Sequence, residues 1–401
     1  AGVDQLVVLI DDLDRCLPDT AIETLEAVRL FVFTSRTAFV VAADEAMIEY
    51  SVRKHFPDLP DTTGPLTYAR NYLEKLIQVP IRIPALGETE TRIYVTLLLV
   101  GAELGEDDPQ FEALIAAARE AAVHWGVGSG ASHLVSGHLR PHETAEQALA
   151  AYVGFPAVLT FSTGYMANLA VTPALAGRGD AIFADKLNHA SLIDAAQLSR
   201  AEHVRYPHND VAALAALLEK SPAKQKLILT DAVFSMDGDL APLPELVALA
   251  ERHDAWLVVD DAHGFGVLGE HGRGTLAHFG IKASSRLVLM GTLGKAAGVA
   301  GAFVAADPVV IDWLVNKARS YIFTIAVSPV IAATLSESVN LLVAGDARRT
   351  HLFQRIAQLR DGLAGTRWQL CDSPTAIQPI IVGDNHEALA LAEALFERGL
   401  W

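Results

Sequence analysis

The sequence of 401 residues predicts two unlike parts, each with an α/β fold. Short apolar runs alternate with helix-like stretches, which is typical of strands that pair into a sheet with helices on its faces. Residues 256–259 form one such run and end in Asp260, and residues 287–290 form another that leads to Thr292 and Lys295. Because the carboxyl ends of parallel strands meet at one edge of a sheet, we expect these side chains to share a crevice.

The composition limits the classes of function. Half of the residues (51%) are apolar, so a large core is available, and the net charge of −17 argues against a nucleic-acid-binding surface. The two cysteines, Cys16 and Cys371, lie far apart and make no metal-type spacing, which favours a reducing, cytoplasmic setting. The sequence contains no apolar run of the roughly 20 residues that a membrane-spanning helix needs.

The first part of the chain has the form of a nucleotide-binding domain. A strand is predicted over residues 5–10, and it ends in two acids, like a Walker B element in which Asp11 would lie by Mg²⁺ and Asp12 would orient a water. A helix over 21–33 and a strand over 38–43 follow. Apart from this possible magnesium pair, we predict no metal site.

Residues 3–115 resemble the KAP family of P-loop NTPases. The resemblance rests on the strand with its acid pair, on Leu13-Asp14-Arg15-Cys16, on Val40-Val41-Ala42-Ala43-Asp44 and on the stretch from Tyr72 to Pro80. The sequence has no Gly-x-x-x-x-Gly-Lys-Ser/Thr run, the loop that cradles phosphates in such proteins. We therefore expect a fragment without Walker A, and weak or absent ATP binding.

The chain changes character near residues 105–125. Beyond that point strands and helices alternate to about residue 340, and strands are predicted over 158–161 and 227–230 besides the two above. The tail predicts a helix over 348–363, a strand over 376–382 and a helix over 386–398. A helix-like stretch over 89–103 precedes the change.

Three side chains of the second part suit pyridoxal phosphate. Lys295 offers an amine to the aldehyde, Asp260 an acid to the ring nitrogen, and His263 a donor to the ring oxygen. Each of them is ordinary alone, since an isolated lysine is most often solvated and a strand-end aspartate most often caps a turn. Their common place just past apolar strands makes them candidate catalytic residues.

Further residues are predicted to hold the same cofactor. Gly164 and Tyr165 follow a strand and begin a helical pattern, so their backbone N–H groups would favour the phosphate. The hydroxyl of Thr292 would join them. His189 offers a flat ring that would stack on the cofactor, and Ser235 would orient the ring oxygen.

The chain from about residue 122 to 401 resembles the α-oxoamine synthase family of pyridoxal-phosphate enzymes. The motifs that carry the resemblance are Gly128-Ser129-Gly130, Val135-Ser136-Gly137, Ser162-Thr163-Gly164-Tyr165, Asn188-His189-Ala190-Ser191, Phe234-Ser235-Met236-Asp237-Gly238-Asp239, Asp260-Asp261-Ala262-His263-Gly264 and Gly294-Lys295. The resemblance implies a transferase fold of type I, with a large mixed sheet and helices on both faces, and a partial C-terminal α+β domain. Against the family pattern, we expect the chain to be truncated at both ends. We predict domains at 1–118, 119–340 and 341–401.

The resemblance also implies a reaction and a partner. In the biotin branch of the family it is the decarboxylative condensation of L-alanine with a pimeloyl thioester of coenzyme A or acyl carrier protein. Lys295 would hold the cofactor and take the α-proton, His189 would stack over the ring, and Asp260, His263 and Ser235 would bond the ring. Family members are homodimers with a shared site, in which Thr324 would reach the partner's phosphate.

Two other hypotheses remain at this stage. The chain could be a nucleotide-dependent binding or signalling module in which residues 122–401 are a passenger, or a non-catalytic chimera of the two parts. Visible absorbance with pyridoxal phosphate would favour the enzyme, and ATP binding would favour the signalling module.

Overall fold

The computed structural model describes residues 6–10, 18–31, 37–41, 50–52, 54–55 and 109–399. Contacts between Cα atoms divide the chain into two compact units, Ala1–Gly87 and Glu88–Trp401. Within the described ranges no single helix is both long and apolar enough to cross a membrane. One pair of helices joined by a bend, Pro329–Ala344 and Asp346–Leu363, has the length and the apolar composition only when the two are taken together.

The first unit contains the strand, helix and strand that the sequence predicts. Strand β1 is Leu6–Ile10, helix α1 is Pro18–Phe31 and strand β2 is Thr37–Val41. The two strands are parallel neighbours, with Leu6 opposite Thr37 and Ile10 opposite Val41. The predicted magnesium ligands Asp11 and Asp12 lie outside the described residues, as does the helix-like stretch 89–103.

The second unit is built on a seven-stranded mixed sheet. Its strands are β3 (Ala157–Phe161), β4 (Ala181–Asp185), β5 (Glu202–Tyr206), β6 (Lys226–Asp231), β7 (Trp256–Asp260), β8 (Leu287–Thr292) and β9 (Ala302–Ala306), in the spatial order β3-β9-β8-β7-β6-β4-β5. Strand β9 runs antiparallel to both neighbours, and the other neighbouring pairs are parallel. This is the large mixed sheet that the family resemblance implies, so the predicted fold class is confirmed.

Helices cover both faces of this sheet. The helices described in the second unit are α2 (Pro109–Trp125), α3 (Arg140–Val153), α4 (Gly164–Leu175), α5 (Ala190–Ser199), α6 (Val211–Lys220), α7 (Leu243–Arg252), α8 (Thr275–His278), α9 (Pro308–Lys317), α10 (Arg319–Ile322), α11 (Pro329–Ala344), α12 (Asp346–Leu363) and α13 (Asn385–Phe396). The last two bury no residue. A π-helical turn, His133–Gly137, and a 3₁₀ turn, Glu270–Gly272, complete the set.

The sheet separates two apolar cores because neighbouring side chains on a strand point to opposite faces. On β6, Ile228 packs into the core beneath α2, α3, α6, α7 and α11. Leu227 and Leu229 pack into the other core, beneath α4, α5, α9 and α10. All three side chains are buried, so the strand reads as a continuous apolar run in the sequence.

The strand register brings three polar residues to one edge of the sheet. Asp231 at the end of β6 lies opposite Asp260 at the end of β7. Asp260 in turn lies opposite Met290, two residues before Thr292 at the end of β8. The strand ends that the sequence analysis selected are therefore neighbours in space.

Helix α2 crosses the predicted domain boundary at residue 118. Its residues Phe111, Leu114 and Ile115 are buried in the core of the second unit. The predicted division into three domains, with boundaries at 118 and 340, stays a prediction.

The C-terminal stretch contains the two predicted helices but little of the predicted strand. In place of a strand over residues 376–382, only Ile380–Ile381 pairs, antiparallel to Gln369–Leu370. Pro379 has no N–H to give to a ladder. The backbone N–H of Ile377 donates instead to the hydroxyl of Thr375, at 3.2 Å. Before residue 380 the carbonyl of Pro379 still accepts the N–H of Cys371 at 3.1 Å, but residues 376–378 make local bonds instead of a strand, so the expectation was wrong there.

Candidate active site

Lys295 and His263 are in direct contact at the edge of the sheet. The loop after β8 carries Lys295, and its Nζ lies 2.8 Å from Nε2 of His263, which follows β7. Partial burial lowers the pKa of Lys295, and the charges of Asp260 and Asp231 oppose that effect. Burial, together with the charges of Lys295 and His189, lowers the pKa of His263 to about 4. Near pH 7 a neutral imidazole therefore accepts a hydrogen bond from the amine.

Asp260 is buried and held by two donors. Its Oδ2 accepts from the side-chain amide of Asn168 at 2.8 Å, and its Oδ1 accepts from the backbone N–H of Ala262 at 3.0 Å. Burial raises the pKa of Asp260, and these hydrogen bonds and the charges of His189 and Lys295 act in the opposite direction. The acid is therefore fixed in orientation and close to the amine.

Asp231 is a second buried acid, which the sequence analysis missed. It ends β6 directly beside Asp260, and its Oδ2 accepts the backbone N–H of His189 at 2.7 Å. Burial and the charge of Asp260 raise the pKa of Asp231, whereas the charge of Lys295 lowers it. The signal was present, because Asp231 ends an apolar strand just as Asp260 does.

A line of hydrogen bonds joins His189 to Asp260. His189 precedes α5, and its Nδ1 lies 2.7 Å from Oγ of Ser191. The same Oγ accepts from the side-chain amide of Asn168 at 2.8 Å, and that amide also donates to Asp260. The Asn168 side-chain oxygen is buried and has no hydrogen-bond partner among the described residues. The sequence analysis missed Asn168, because a polar residue within a helix carries no local signal for a partner 92 residues away.

The start of α4 faces the end of β8. A Cβ added to Gly164 would lie 3.9 Å from Cβ of Thr292, so these two predicted residues are brought together. Thr163 caps the helix, and its hydroxyl accepts from the N–H of Met166 at 3.1 Å. The first-turn N–H groups of Gly164 and Tyr165 have no acceptor within the helix. The Tyr165 side chain is exposed, and its hydroxyl donates to Asp194.

Two predicted residues are not joined to this group. Ser235 is exposed on the loop that follows β6, and Thr324 is half-buried in the loop after α10. Among the described residues, no contact connects either of them to Lys295, Asp260 or His263. Their predicted roles stay predictions. Across the same ranges, no group of three or more His, Cys, Asp or Glu side chains is arranged to hold a metal ion.

The strand ends offer groups for a carbonyl and for an anion. The amine of Lys295, whose pKa partial burial lowers, is acted on by two buried acids, and the start of α4, whose first N–H groups have no acceptor within the helix, lies near Thr292 at the end of β8. Neighbouring buried carboxylates are unstable together unless a positive charge compensates them. These groups are therefore suited to a ligand that carries a carbonyl, a cationic nitrogen and a phosphate.

Two family models match the chain. Residues 97–401 match the model described as aminotransferase class I and II. Residues 3–117 match the model of the KAP family P-loop domain. The two family resemblances that the sequence motifs indicate are therefore both confirmed by the family models.

Individual proteins resemble the second unit strongly. The 8-amino-7-oxononanoate synthase of Dechloromonas aromatica (strain RCB) is 67% identical over 285 residues, which are 70% of this chain and 74% of that protein. The solved 8-amino-7-oxononanoate synthase of Francisella tularensis has a TM-score of 0.62 at 31% identity, over 72% of this chain and 82% of that one. A serine palmitoyltransferase from S. paucimobilis, solved with bound PLP-myriocin aldimine, has a TM-score of 0.69 at 34% identity, over 74% of this chain and 76% of that one.

Proposed function

The chain belongs to the aminotransferase class I and II family, and on that premise we propose that it is an 8-amino-7-oxononanoate synthase. Its relatives are pyridoxal-phosphate-dependent acyltransferases. One observation supports the proposal most strongly: the amine of Lys295 contacts His263, and the charges of two adjacent buried acids, Asp260 and Asp231, act on the same amine. The predicted signalling module explains none of these contacts.

The charges of the site fit pyridoxal phosphate. Burial raises the pKa of both Asp260 and Asp231, so a protonated ring nitrogen next to Asp260 would stabilise the ionised form of that acid. Asn168 and Ala262 already hold both oxygens of Asp260, which fixes the acid before the cofactor binds. A carboxylate held in this way keeps the ring nitrogen protonated.

The phosphate end fits as well. The N–H groups of Gly164 and Tyr165 at the start of α4 would bind phosphate oxygens, since helix N-termini favour anions. The Cβ of Thr292 lies near Gly164, and its hydroxyl, which now donates to the carbonyl of Gly301 at 3.4 Å, would turn to add a donor. In a dimer, Thr324 of one subunit would reach the phosphate held by the other.

Each remaining residue has a defined task. When bound, pyridoxal phosphate supplies an electron sink for bond breaking at the α-carbon of an amino acid. Lys295 would hold the aldehyde of the cofactor, and once released its amine, whose pKa partial burial lowers, would be the base for the α-proton. His263 and Ser235 would bond the ring oxygen, and His189 would cover one face of the ring.

We propose L-alanine and a pimeloyl thioester as the substrates. The condensation joins the α-carbon of alanine to the acyl carbon and releases carbon dioxide and the free thiol of coenzyme A or acyl carrier protein. Identity of 67% to a protein named for this product supports the assignment. The likeness to a serine palmitoyltransferase is weaker, at 34% identity, and it makes serine with a long acyl thioester the comparison to test.

A homodimer is proposed from an exposed apolar surface, here called the loop face. It comprises Val127, Val135, Phe323 and Ile325, which are 62–79% exposed. The backbone N–H of Ala326 donates to the carbonyl of Ala131 at 3.1 Å, so the two loops that carry this face support one another. Exposed apolar patches of this kind mark interaction sites. Light scattering should give twice the mass of the chain, and replacing Phe323 by Ser should lower that mass.

The central experiment measures cofactor and substrate together. Purified chain mixed with pyridoxal phosphate should develop a visible band that moves on adding L-alanine and not on adding L-serine. Lys295→Ala should lose the band, whereas Lys224→Ala, at an exposed lysine, should keep it. Mass spectrometry with pimeloyl-CoA should then detect the condensed product. A colourless protein, or a band that survives Lys295→Ala, contradicts the proposal.

The first unit is proposed to be a P-loop NTPase fragment, on the strength of its family match over residues 3–117. The chain lacks the phosphate-cradling Gly-x-x-x-x-Gly-Lys-Ser/Thr run. Calorimetric titration with Mg-ATP should therefore show no binding. Binding at micromolar concentrations would favour the signalling module instead.

A further inference from the structure

His208 lies between two carboxylates. Its Nδ1 is 3.0 Å from Oδ1 of Asp185, and its Nε2 is 2.8 Å from Oδ2 of Asp239. An ionised carboxylate only accepts hydrogen bonds, so with both acids ionised both ring nitrogens carry a proton. The two contacts together describe an imidazolium that bridges two acids.

One end of this bridge holds the turn that leads to His189. Asp185 ends β4 and is buried. Its Oδ1 accepts the N–H of Leu187 and its Oδ2 accepts the N–H of Asn209, both at 2.8 Å. The short turn after β4 is therefore tied to the same carboxylate that binds His208.

The other end holds the loop that carries Ser235. The loop closes on itself, because the N–H of Phe234 donates to the carbonyl of Asp239 at 3.0 Å. The buried ring of Phe234 meets the ring of His208 edge to face, with 4.4 Å between centroids. The residues at both ends of this loop thus touch His208, and Ser235 lies between them.

A second contact clamps the loop from the C-terminal stretch. The hydroxyls of Ser373 and Thr375 donate to the carbonyl of Gly238 at 2.7 and 3.1 Å. A Cβ at Gly238 would lie 2.5 Å from Oγ of Ser373, so the two segments are tightly packed. Without the imidazolium, Asp185 and Asp239 would have no cation between them. Asn209 would remain as a neutral link, because its backbone N–H donates to Asp185 and its side-chain amide donates to Asp239, both at 2.8 Å. Ser373 and Thr375 would still hold Gly238, so the segment at Ser235 is the part that we expect to shift.

We propose that His208 is a positioning residue: as a charged bridge between Asp185 and Asp239 it sets the loop that carries Ser235 against the turn that carries His189. The role in the reaction rests on the proposed function, since Ser235 and His189 are its proposed contacts to the cofactor. The existence of the bridge does not depend on the proposed function, because all of its atoms belong to this chain.

The charge of the bridge can be measured without any cofactor. Burial alone would lower the pKa of His208, but the hydrogen bonds and charges of Asp185 and Asp239, the groups that act on it, raise it above its ordinary value. An NMR titration of histidine-labelled chain, with His208→Gln to assign the signal, should give a pKa above about 6.5. A His208 signal that titrates at or below this value overturns the bridge.

The positioning role is tested in the cofactor-loaded chain. His208→Gln should keep the visible band, lower kcat by about tenfold or more, and leave the KM for L-alanine nearly unchanged. His278→Gln, at an exposed histidine, is the matched control and should behave as the parent does. Asp239→Asn, which keeps the ring and removes one charge, should change kcat in the same direction by a smaller factor.

The outcomes separate the two proposals. A parent chain with no visible band rejects the proposed function, and the NMR titration still decides whether the bridge exists. A loaded His208→Gln variant with the parent's kcat rejects the positioning role while leaving the proposed function intact. If His208→Gln fails to fold, Asp239→Asn provides the same comparison.

Discussion

Asn168 on helix α4 donates to Asp260 at the end of strand β7, across 2.8 Å, and both side chains are buried. The second proton of the same amide goes to Ser191. An amide with both protons committed cannot rotate without breaking a buried hydrogen bond. The helix therefore fixes the direction in which the acid presents its oxygens.

Replacing Asn168 by Ala should lower the free energy of unfolding by about 1–3 kcal/mol, because Asp260 and Ser191 each lose a buried partner. It should also raise the pKa of Asp260 further, since the Asn168 hydrogen bond now lowers it. A folded-state pKa above the unfolded one costs stability as pH rises through that interval. Urea unfolding should therefore show a larger loss at about pH 8 than at about pH 5.

The control for this change is Asn316→Ala. Asn316 is exposed on α9, and its side-chain amide donates to the carbonyl of Asp312 at 2.8 Å. Its replacement should change the free energy of unfolding by less than about 0.5 kcal/mol. Equal losses for the two variants would show that the buried amide has no special role.

Gly164→Ala should separate cofactor binding from stability. The new Cβ would make ordinary contacts, 3.7 Å from Cε of Met290, and alanine favours the helix by about 0.5–1 kcal/mol over glycine. The fold should therefore be as stable or more so. The same methyl would occupy space next to the proposed phosphate position, so the Kd for pyridoxal phosphate should rise about tenfold, or 1.4 kcal/mol. An unchanged Kd by absorbance titration would show that the phosphate does not bind at this helix start.

Gly238→Ala should destabilise the contact with the C-terminal stretch. Gly238 has a φ of +73°, and an added Cβ would lie 2.5 Å from Oγ of Ser373 and 2.6 Å from the carbonyl oxygen of Ile377. Backbone strain costs about 1–2 kcal/mol, and overpacking adds about 1–3 kcal/mol. The sum should appear in denaturant unfolding, together with faster proteolysis after residue 371.

Gly179→Ala isolates the strain in that measurement. Gly179 also has a positive φ, +91°, but no atom lies within 4 Å of its added Cβ. This variant should lose the strain contribution alone, about 1–2 kcal/mol. If both glycine variants lose the same free energy, the contact of Gly238 with Ser373 contributes nothing.

Acid should destabilise the chain through a buried histidine. His133 stacks on Tyr321 with 4.6 Å between ring centroids, and its Nδ1 lies 2.9 Å from Nδ1 of His138. Burial, with the charges of His138 and His142, lowers the pKa of His133 to about 3. Below about pH 6.5 the unfolded chain binds a proton that the folded chain refuses, so stability falls as pH drops toward 3.

The variant His133→Asn tests this source of acid sensitivity. Asparagine keeps a polar atom near the position of Nδ1 and does not titrate, so the thermal midpoint should depend less steeply on pH between about 6.5 and about 4. His278→Gln, at an exposed histidine, should leave the slope as it is. A slope that His133→Asn does not alter would assign the acid loss to other groups, of which His263 is the first to test.

Much of the site could be predicted from local sequence. Asp260, His263 and Lys295 each follow an apolar strand closely, and parallel strands end at one edge whatever the rest of the chain does. Their proximity in the structure follows from this rule, and so does that of Gly164 to Thr292. Ser235 and Thr324 are different: Ser235 lies four residues beyond β6, and Thr324 follows the short helix α10, which is not a strand of the sheet, so strand geometry sets the direction of neither.

The sequence by itself determined the alternation of strands and helices, the place of Asp260 and Lys295 at strand ends, and the family. The tertiary structure alone decided which side chains hold those groups: Asn168 on Asp260, Asp231 beside it, and His208 between Asp185 and Asp239. The physical reason is the distance along the sequence between the partners. Apolar periodicity reports on neighbours within a few residues, whereas these partners are separated by up to 92 positions and meet only when the sheet is assembled.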